Sequence, residues 1–247
     1  MIENEYEKMY RLEDRHWWFR AKRNYVKIVL DLFLKKKPLR ILDLGCGTGR
    51  MVDLLQDYGA VFGLDFHQGA CHFARCRKEF PLVRGDANRL PFKKNSFDLI
   101  SAFDLLYHQG IENDQDVLEQ AYDLLTQGGT LIITDSAFEF LKSRHDLAVM
   151  ARHRYTLREL TDKLQGQGFT ILKKTYLYFV LFPLVAVSRL ADKILLALSQ
   201  PEIRSDLKET PNFINWLLIR LLSWEGRLLK NLSFPMGSSL LILAKRN

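Results

Sequence analysis

Glycines and aspartates stand in this 247-residue chain in an order that suits ligand binding. The run Asp43-Leu44-Gly45-Cys46-Gly47-Thr48-Gly49 follows a short apolar stretch and precedes a helical pattern. Glycines there let backbone amides approach a ligand closely, because no Cβ stands in the way and the helix N-terminus presents free N–H groups. Asp65 follows about twenty residues after the turn, where a carboxylate can accept hydrogen bonds from two ribose hydroxyls.

The spacing of the glycines bears on which ligand the turn binds. The dinucleotide fingerprint of the NAD-type dehydrogenases, Gly-x-Gly-x-x-Gly, needs a glycine where this chain has Arg50. The glycines of this chain stand instead at positions 45, 47 and 49. A dehydrogenase is therefore disfavoured but stays a rival, because a glycine turn by itself is a weak signal.

Strands and helices alternate around the turn. Apolar runs predict strands at 39–44, 61–65, 82–85, 97–103, 130–134, 169–176 and 238–244, and helical spacing predicts helices at 51–57, 69–80, 112–126 and 156–166. One or two helices precede the first strand and end at 35–38, and Gly128-Gly129 is expected to end the helix before the fifth strand. Near-continuous apolar strands with helices between them indicate a parallel sheet covered on both faces. Ligands are then expected at the carboxyl ends of the strands, where Asp65, Asp86 and Asp104 stand.

These motifs, in this order, resemble those of the class I S-adenosylmethionine-dependent methyltransferases. The glycine turn is similar to their first motif, and Arg84-Gly85-Asp86-Ala87 resembles their adenine-binding turn. Two later stretches, 90–100 and 124–130, also match, so the resemblance extends over residues 39–134. It implies a Rossmann-like α/β fold, with a seven-stranded, mostly parallel sheet and helices on both faces. It also implies S-adenosylmethionine as the cofactor.

The resemblance further implies which residues hold that cofactor. Asp65 is expected to accept from the ribose hydroxyls, and Asp86 from the exocyclic amine of adenine. We assign Arg20 to the cofactor carboxylate because a guanidinium binds a carboxylate in bidentate fashion; a solvated surface arginine is the alternative. The predicted cofactor-binding residues are Arg20, Asp43, Gly45, Cys46, Gly47, Gly49, Asp65, Phe66, Asp86, Ala87 and Phe103.

The flanking segments resemble a subgroup of bacterial methyltransferases that often occurs with glycan or lipid biosynthesis. Its members begin with a segment similar to Glu13-Asp14-Arg15-His16-Trp17-Trp18-Phe19-Arg20. Three consecutive aromatic residues cannot all face one core, so part of this segment is expected to cover the cofactor cleft; a packing cluster is the alternative. The stretch 145–156 also resembles the subgroup, but Ala151 stands where the subgroup tends to carry a histidine. No catalytic role is therefore carried over from that stretch.

Methyl transfer from a sulfonium is an in-line displacement that mainly requires proximity, alignment and a dry site. A base is needed only when the acceptor must lose a proton. His108, just beyond the fourth strand, is the candidate catalytic base, with His145 and His153 as alternatives. Asp104 could orient the acceptor or cap the following helix. We expect no metal ion, since paired carboxylates of the catechol-type metal site are not apparent.

Motifs that are missing narrow the choice of acceptor. The chain lacks an Asn/Asp-Pro-Pro-aromatic motif and a Pro-Cys pair after the fourth strand, which disfavours nucleic acid despite a formal charge of +7. A small-molecule, glycan or lipid-linked acceptor, methylated at oxygen, is the leading interpretation. A nucleic-acid methyltransferase and a methyltransferase-like scaffold that binds cofactor without turnover are the alternatives.

Four segments are predicted: an N-terminal helical cover at 1–38, a cofactor-binding core at 39–176, a helical insertion at 177–237 and a final core strand at 238–247. Trp216 and Trp224 stand among basic residues in the insertion and suit a peripheral membrane contact. A lid or a homodimer interface is the alternative. Three scattered cysteines, a polar N-terminus and no apolar run of spanning length predict a cytoplasmic protein that can lie at the inner face of the membrane.

Overall fold

A seven-stranded sheet forms the centre of the computed structural model, which describes residues 3–34, 38–198 and 207–247. The strands are β1 (Leu39–Leu44), β2 (Gly59–Asp65), β3 (Leu82–Arg84), β4 (Phe97–Phe103), β5 (Leu125–Ser136), β6 (Phe169–Leu177) and β7 (Ser239–Arg246). Their order in the sheet is β3-β2-β1-β4-β5-β7-β6. The pairs among β1 to β5 are parallel, and β7 runs antiparallel to β5 and β6. The predicted Rossmann-like, mostly parallel α/β fold is confirmed.

Helices cover both faces of the sheet. They are α1 (Glu3–Leu12), α2 (Trp17–Phe33), α3 (Arg50–Leu55), α4 (Gln68–Arg77), α5 (Asp114–Leu124), α6 (Arg144–Ala148), α7 (Leu157–Gly166), α8 (Phe182–Leu198) and α9 (Asn212–Leu229). Side chains alternate between the faces of β1: Leu42 packs in a cluster with residues of α5 and α7, and Ile41 in a cluster with residues of α2, α3 and α9. The helix end predicted at 35–37 and residues 199–206 of the predicted insertion lie outside the described residues.

The helix end predicted at Gly128-Gly129 is wrong. α5 already ends at Leu124, and both glycines lie inside β5. The register of β5 on β4 shifts between Phe97 and Leu99, and Gly128 has a φ of 78°. A glycine in this left-handed region suits a strand irregularity as well as a helix end, so the residue type alone could not separate the two.

The strand order reverses beside β1. The chain runs outward from β1 through β2 to β3 and then returns to form β4 on the other side of β1. At such a switch point the connections after the two neighbouring strands diverge and leave a crevice at their carboxyl ends. The glycine turn after β1 and the loop after β4 therefore face the same crevice.

The helices outside the sheet connect the two ends of the chain. α2 packs against α9, and the fully buried Glu225 of α9 joins them to the start of α8. Its carboxylate accepts hydrogen bonds from the Tyr25 hydroxyl at 2.9 Å and from the amides of Phe179 and Val180 at 3.1 and 3.0 Å. Within the described ranges, none of the helices is long and apolar enough to cross a membrane.

Candidate cofactor and acceptor site

A cavity of about 990 Å³ opens at the carboxyl ends of the parallel strands. This volume is near the upper end of the range for ligand pockets, so the cavity has room for more than one small ligand. Its walls include the turns after β1 to β5, the start of α2 and one face of α8. Eight of the residues predicted for cofactor binding or catalysis line it together: Gly45, Gly47, Asp65, Phe66, Asp86, Ala87, Phe103 and His108.

The glycine turn has the backbone that its sequence requires. Gly45, Gly47 and Gly49 have φ values of 67°, 55° and 81°, a region that residues with a Cβ seldom adopt. A Cβ on Gly45 would lie 2.9 Å from Cδ1 of Leu105. Gly49 does not line the cavity; its Cα faces the backbone of α4, where a Cβ would lie 3.2 Å from the Cα of Ala74.

Asp65 ends β2 and is almost fully buried at the cavity wall. One carboxylate oxygen accepts from the amide of Gly47 at 2.9 Å and the other from the amide of His67 at 2.8 Å. Burial raises the pKa of this carboxyl, and the two amide bonds oppose that shift. Each oxygen keeps acceptor capacity for a ligand hydroxyl.

Asp86 lies on the other side of the same cavity region, beyond β3. Its Oδ1 accepts from the backbone amide of Asn88 at 2.9 Å and from the Asn88 side chain at 2.8 Å. This arrangement fixes the turn and leaves Ala87 buried against the cavity. The exposed carboxylate can therefore accept from an amine of a bound ligand.

Three predicted cofactor residues besides Gly49 do not line the cavity. Asp43 is buried beneath the turn, where the Ser101 hydroxyl donates to its Oδ1 at 2.7 Å and its Oδ2 has no hydrogen-bond partner. Burial raises the pKa of Asp43 to about 7. Cys46 is also buried, which raises the pKa of its thiol. Arg20 is exposed on α2.

The aromatic segment at the start of α2 faces the cavity, and Trp17, Trp18 and Phe19 all line it. His16 caps α2 and contacts the Thr210 hydroxyl at 3.1 Å through Nε2. The Trp17 amide donates to Oδ1 of Asn215 at 2.8 Å, so α9 holds this segment in place. α1 lies over the glycine turn, with Tyr6 stacked on His67 and Met9 near Gly47.

A buried lysine that the sequence did not predict lies beside the cavity wall after β4. Lys22 forms an ion pair with Asp104, a cavity-lining residue after β4 whose φ is +52°. The ammonium also lies 3.8 Å from the centroid of the Trp18 ring, which stacks on Tyr178. Burial lowers the pKa of Lys22, and Asp104 opposes that shift. The sequence carries one indication of this contact: Trp18 and Lys22 are four residues apart, which places them one turn apart on the same face of α2.

The three candidate histidines differ in position. His108 and His145 line the cavity, whereas His153 pairs outside it with Glu159 at 2.9 Å. Burial lowers the pKa of His108 to about 4, and its Nδ1 accepts from the amide of Gly110 at 3.0 Å.

Behind Asp104, Asp135 is fully buried and accepts from the amide of Tyr107 at 3.2 Å. Burial raises the pKa of Asp135 well above its usual range.

These residues fit S-adenosylmethionine. The cavity offers the glycines of the turn after β1, a buried carboxylate at the end of β2 and a second carboxylate after β3. These groups suit the close approach, the ribose hydroxyls and the adenine amine of that cofactor. The unpartnered Oδ2 of Asp43 lies beneath the same turn. In the described parts of the chain, no group of three or more His, Cys, Asp or Glu side chains could hold a metal ion.

Several known proteins similar to this chain are methyltransferases. Residues 42–133 match the family model described as a methyltransferase domain. The tRNA N(3)-methylcytidine methyltransferase of Drosophila melanogaster is 30% identical over 170 residues, which cover 63% of this chain and 50% of that protein. A demethylmenaquinone methyltransferase of Lactococcus lactis is 32% identical over 112 residues, which cover 40% and 42%. The chain spans about half the length or less of these curated relatives.

A solved structure extends the likeness to the whole fold. The S-adenosylmethionine-dependent methyltransferase of Thermotoga maritima superposes with a TM-score of 0.60 and 19% identity, covering 99% of this chain and 96% of that one. The cofactor of a domain of this kind is S-adenosylmethionine, in agreement with the turn and the two carboxylates. Residues 42–133 are thus a methyltransferase domain, and the chain around them has the fold of the class I S-adenosylmethionine-dependent methyltransferases.

Proposed function

We propose that this protein methylates an oxygen of a small-molecule, glycan or lipid-linked acceptor. One observation carries the proposal: a single cavity joins the cofactor residues Gly47 and Asp65 to Asp104 and the aromatic segment of α2. The bound cofactor supplies an electrophilic methyl group on a sulfonium. The acceptor then belongs on the side of β4 and β5, where Asp104 and Ser136 line the wall.

The residues on that side suit alignment of an acceptor in a dry space. Trp17, Trp18 and Phe19 exclude water from one wall, which strengthens polar contacts inside it. Lys22 fixes the carboxylate of Asp104, so that a free lone pair can accept from an acceptor hydroxyl. Arg154, held by a buried ion pair with Asp146 at 2.7 Å, adds a fixed guanidinium to the lining.

Asp104 is the base that this geometry favours, ahead of His108. Its carboxylate lies at the cavity surface, where the oxygen that Lys22 does not contact can accept the proton of the acceptor hydroxyl. His108 also lines the cavity and stays a candidate. Its Nδ1 accepts from the Gly110 amide, so the neutral ring carries its proton on Nε2 and is poorly placed to take another from the acceptor.

Comparison of Asp104→Asn with His108→Asn tests these roles. Once a methyl acceptor is found by screening lipid and glycan extracts, Asp104→Asn should lower kcat about a hundredfold or more while the Kd of S-adenosylmethionine changes little. His108→Asn should keep most of kcat. If His108→Asn lowered kcat more than Asp104→Asn did, His108 would be assigned as the base. A lack of methyl transfer to any extract, with cofactor still bound, would favour the scaffold without turnover.

A nucleic-acid acceptor is the second candidate. Two observations favour it: a relative that is named for a tRNA methylation, and the formal charge of +7. A basic surface attracts polyanions without identifying them. Methyl transfer to total tRNA that exceeds transfer to lipid and glycan extracts would favour this candidate over the small acceptor.

A further inference from the structure

Helix α9 carries two apolar faces, and only one of them is packed. The packed face contains Leu222, Gly226 and Leu229, all buried, and it lies against α2. On the opposite face Phe213, Trp216 and Trp224 are 73%, 53% and 53% exposed. Ile214 and Leu217 are exposed beside them. A helix on the surface of a soluble domain ordinarily presents polar residues there.

The charges of this exposed face all have one sign. Arg220 and Arg227 are exposed on the same side of α9, and Lys230 follows at its C-terminal end. The acidic residue of the helix, Glu225, is fully buried against Tyr25 and the start of α8. The guanidinium of Arg220 lies 5.6 Å from the Trp216 ring, which stacks on Phe213. The face is therefore aromatic, apolar and positive.

Helix α8 has a similar division. Val185 and Arg189 line the cavity, while Leu184, Val187 and Leu190 are 71%, 67% and 62% exposed. At 100° per residue, these exposed side chains lie on the side of α8 away from Val185 and Arg189. α8 is thus a wall of the cavity on one side and an exposed apolar surface on the other.

Both helices adjoin the part of the cavity assigned to the acceptor. α8 contributes directly through Val185, and α9 holds the Trp17 backbone through Asn215. The exposed face of α8 is thus separated from the cavity by the width of one helix, about 10 Å.

The charge pattern distinguishes the partners that could cover α9. In a two-fold dimer formed through this face, Arg220 and Arg227 would meet the positive face of a second copy, which is unfavourable. An anionic lipid surface offers the complementary charge to the arginines and an apolar layer for the aromatic rings. Tryptophan, phenylalanine and leucine beside arginine are the composition of helices that lie in the membrane interface.

We propose that the exposed faces of α8 and α9 dock on an anionic lipid bilayer and present the cavity to an acceptor carried in that bilayer. Presentation of the cavity to the acceptor rests on the proposed function, because it takes the cavity to be the acceptor site. Docking on the bilayer rests on the two helices alone.

Vesicle flotation of the whole chain tests the docking. At low salt the protein should float with vesicles of equal phosphatidylglycerol and phosphatidylcholine, and much less with phosphatidylcholine alone. Trp216→Ser/Trp224→Ser should lower the partition coefficient at least about tenfold, because two interfacial aromatic rings are lost. Arg220→Gln/Arg227→Gln should lower binding to the anionic vesicles about tenfold or more and leave the small binding to neutral vesicles unchanged.

The matched control removes apolar side chains that are exposed elsewhere. Leu32 and Leu147 are 47% and 49% exposed outside α8 and α9, so Leu32→Ser/Leu147→Ser should float like the unchanged protein. Circular dichroism and S-adenosylmethionine binding in solution confirm that each variant is folded.

Three results would overturn the docking. The unchanged protein could stay with the soluble fraction at low salt, or the tryptophan variant could float as well as the control variant. Sedimentation could also show a dimer that the tryptophan substitutions dissociate, which would assign the face to a second copy. Cofactor binding in solution is measured separately. If the protein does not dock but still binds the cofactor, the proposed function stays intact. If the protein does not bind the cofactor, that result counts against the proposed function alone.

Discussion

Asp65 is the residue whose contacts say most about cofactor binding. It fastens the glycine turn through the Gly47 amide and still faces the cavity. A carboxylate that accepts from two ribose hydroxyls makes charge-assisted hydrogen bonds, which are stronger than neutral ones. The same side chain thus shapes the turn and is the one that we propose binds the ribose of the cofactor.

Substitution of this carboxylate should weaken cofactor binding directly. We expect Asp65→Ala to lower the affinity for S-adenosylmethionine by about 1.5–3 kcal/mol, measured by calorimetry. Asp123→Ala removes a carboxylate outside the cavity and should leave the affinity unchanged. If a folded Asp65→Ala protein bound the cofactor with unaltered affinity, the role of Asp65 would be only to hold the backbone of the glycine turn.

Asp43 should make the stability of the protein without cofactor depend on pH. Its pKa of about 7 in the folded state lies above the value near 3.9 of an unfolded chain, so the folded state holds the proton over a wider range. The stabilisation from this proton is present below about pH 4 and is lost as the pH rises through 7.

The variant Asp43→Asn cannot titrate and isolates this effect from the other buried carboxylates. Between pH 4 and pH 8 the free energy of unfolding should fall by on the order of 2–4 kcal/mol more in the unchanged protein than in the variant. Urea unfolding at several pH values measures the difference. Parallel curves for the two proteins would mean that the folded protein holds Asp43 ionised.

At the scale of elements, the sequence predicted the strands and the residues at their carboxyl ends best. The bounds predicted for β1 and β4 match those of the structure, because each is a short apolar run with a clear end. Asp65 and Asp86 could be assigned to the site for the same reason: the topology of a parallel sheet brings its strand ends together.

Contacts between distant segments could not be predicted in this way. Lys22 and Asp104 are 82 residues apart, and Trp17 and Asn215 are 198 apart. The sequence carries no local pattern for such pairs, because burial and charge compensation arise only when α2 meets the sheet and α9. Arg20 shows the converse: its residue type suits a carboxylate, but α2 leaves it exposed.

The segment from His16 to Phe19 should become more ordered when the cofactor binds. Its aromatic rings line the cavity, so a bound ligand adds contacts to the hydrogen bonds that already hold its backbone, from the Tyr178 hydroxyl to the Trp18 carbonyl and from the Trp17 amide to Asn215. We expect amide hydrogen exchange at 16–20 to slow on addition of S-adenosylmethionine, while α7, away from the cavity, keeps its rate. If the exchange rates were equal with and without the ligand, the segment would be a static packing cluster.

At the scale of the whole molecule, the cavity connects elements from the entire length of the chain. It is lined by residues from Tyr6 near the start to Ser239 in β7, so a ligand that fills it contacts both termini of the fold. Binding to such a site requires the folded arrangement of all these elements. A ligand of this kind stabilises the folded state by mass action.

Thermal unfolding should therefore identify the cofactor class. At a hundredfold excess over its Kd, S-adenosylmethionine or its demethylated product should add about 2.7 kcal/mol, which raises the Tm of a chain of this size by roughly 5–10 °C. NAD at the same concentration should have no effect, since Arg50 stands where the dinucleotide turn needs glycine. The variant Asp65→Ala separates specific from general stabilisation: at the same ligand concentration its Tm should rise less. A Tm that responds to NAD and not to S-adenosylmethionine would contradict the cofactor assignment and restore the dehydrogenase as the better interpretation of the glycine turn.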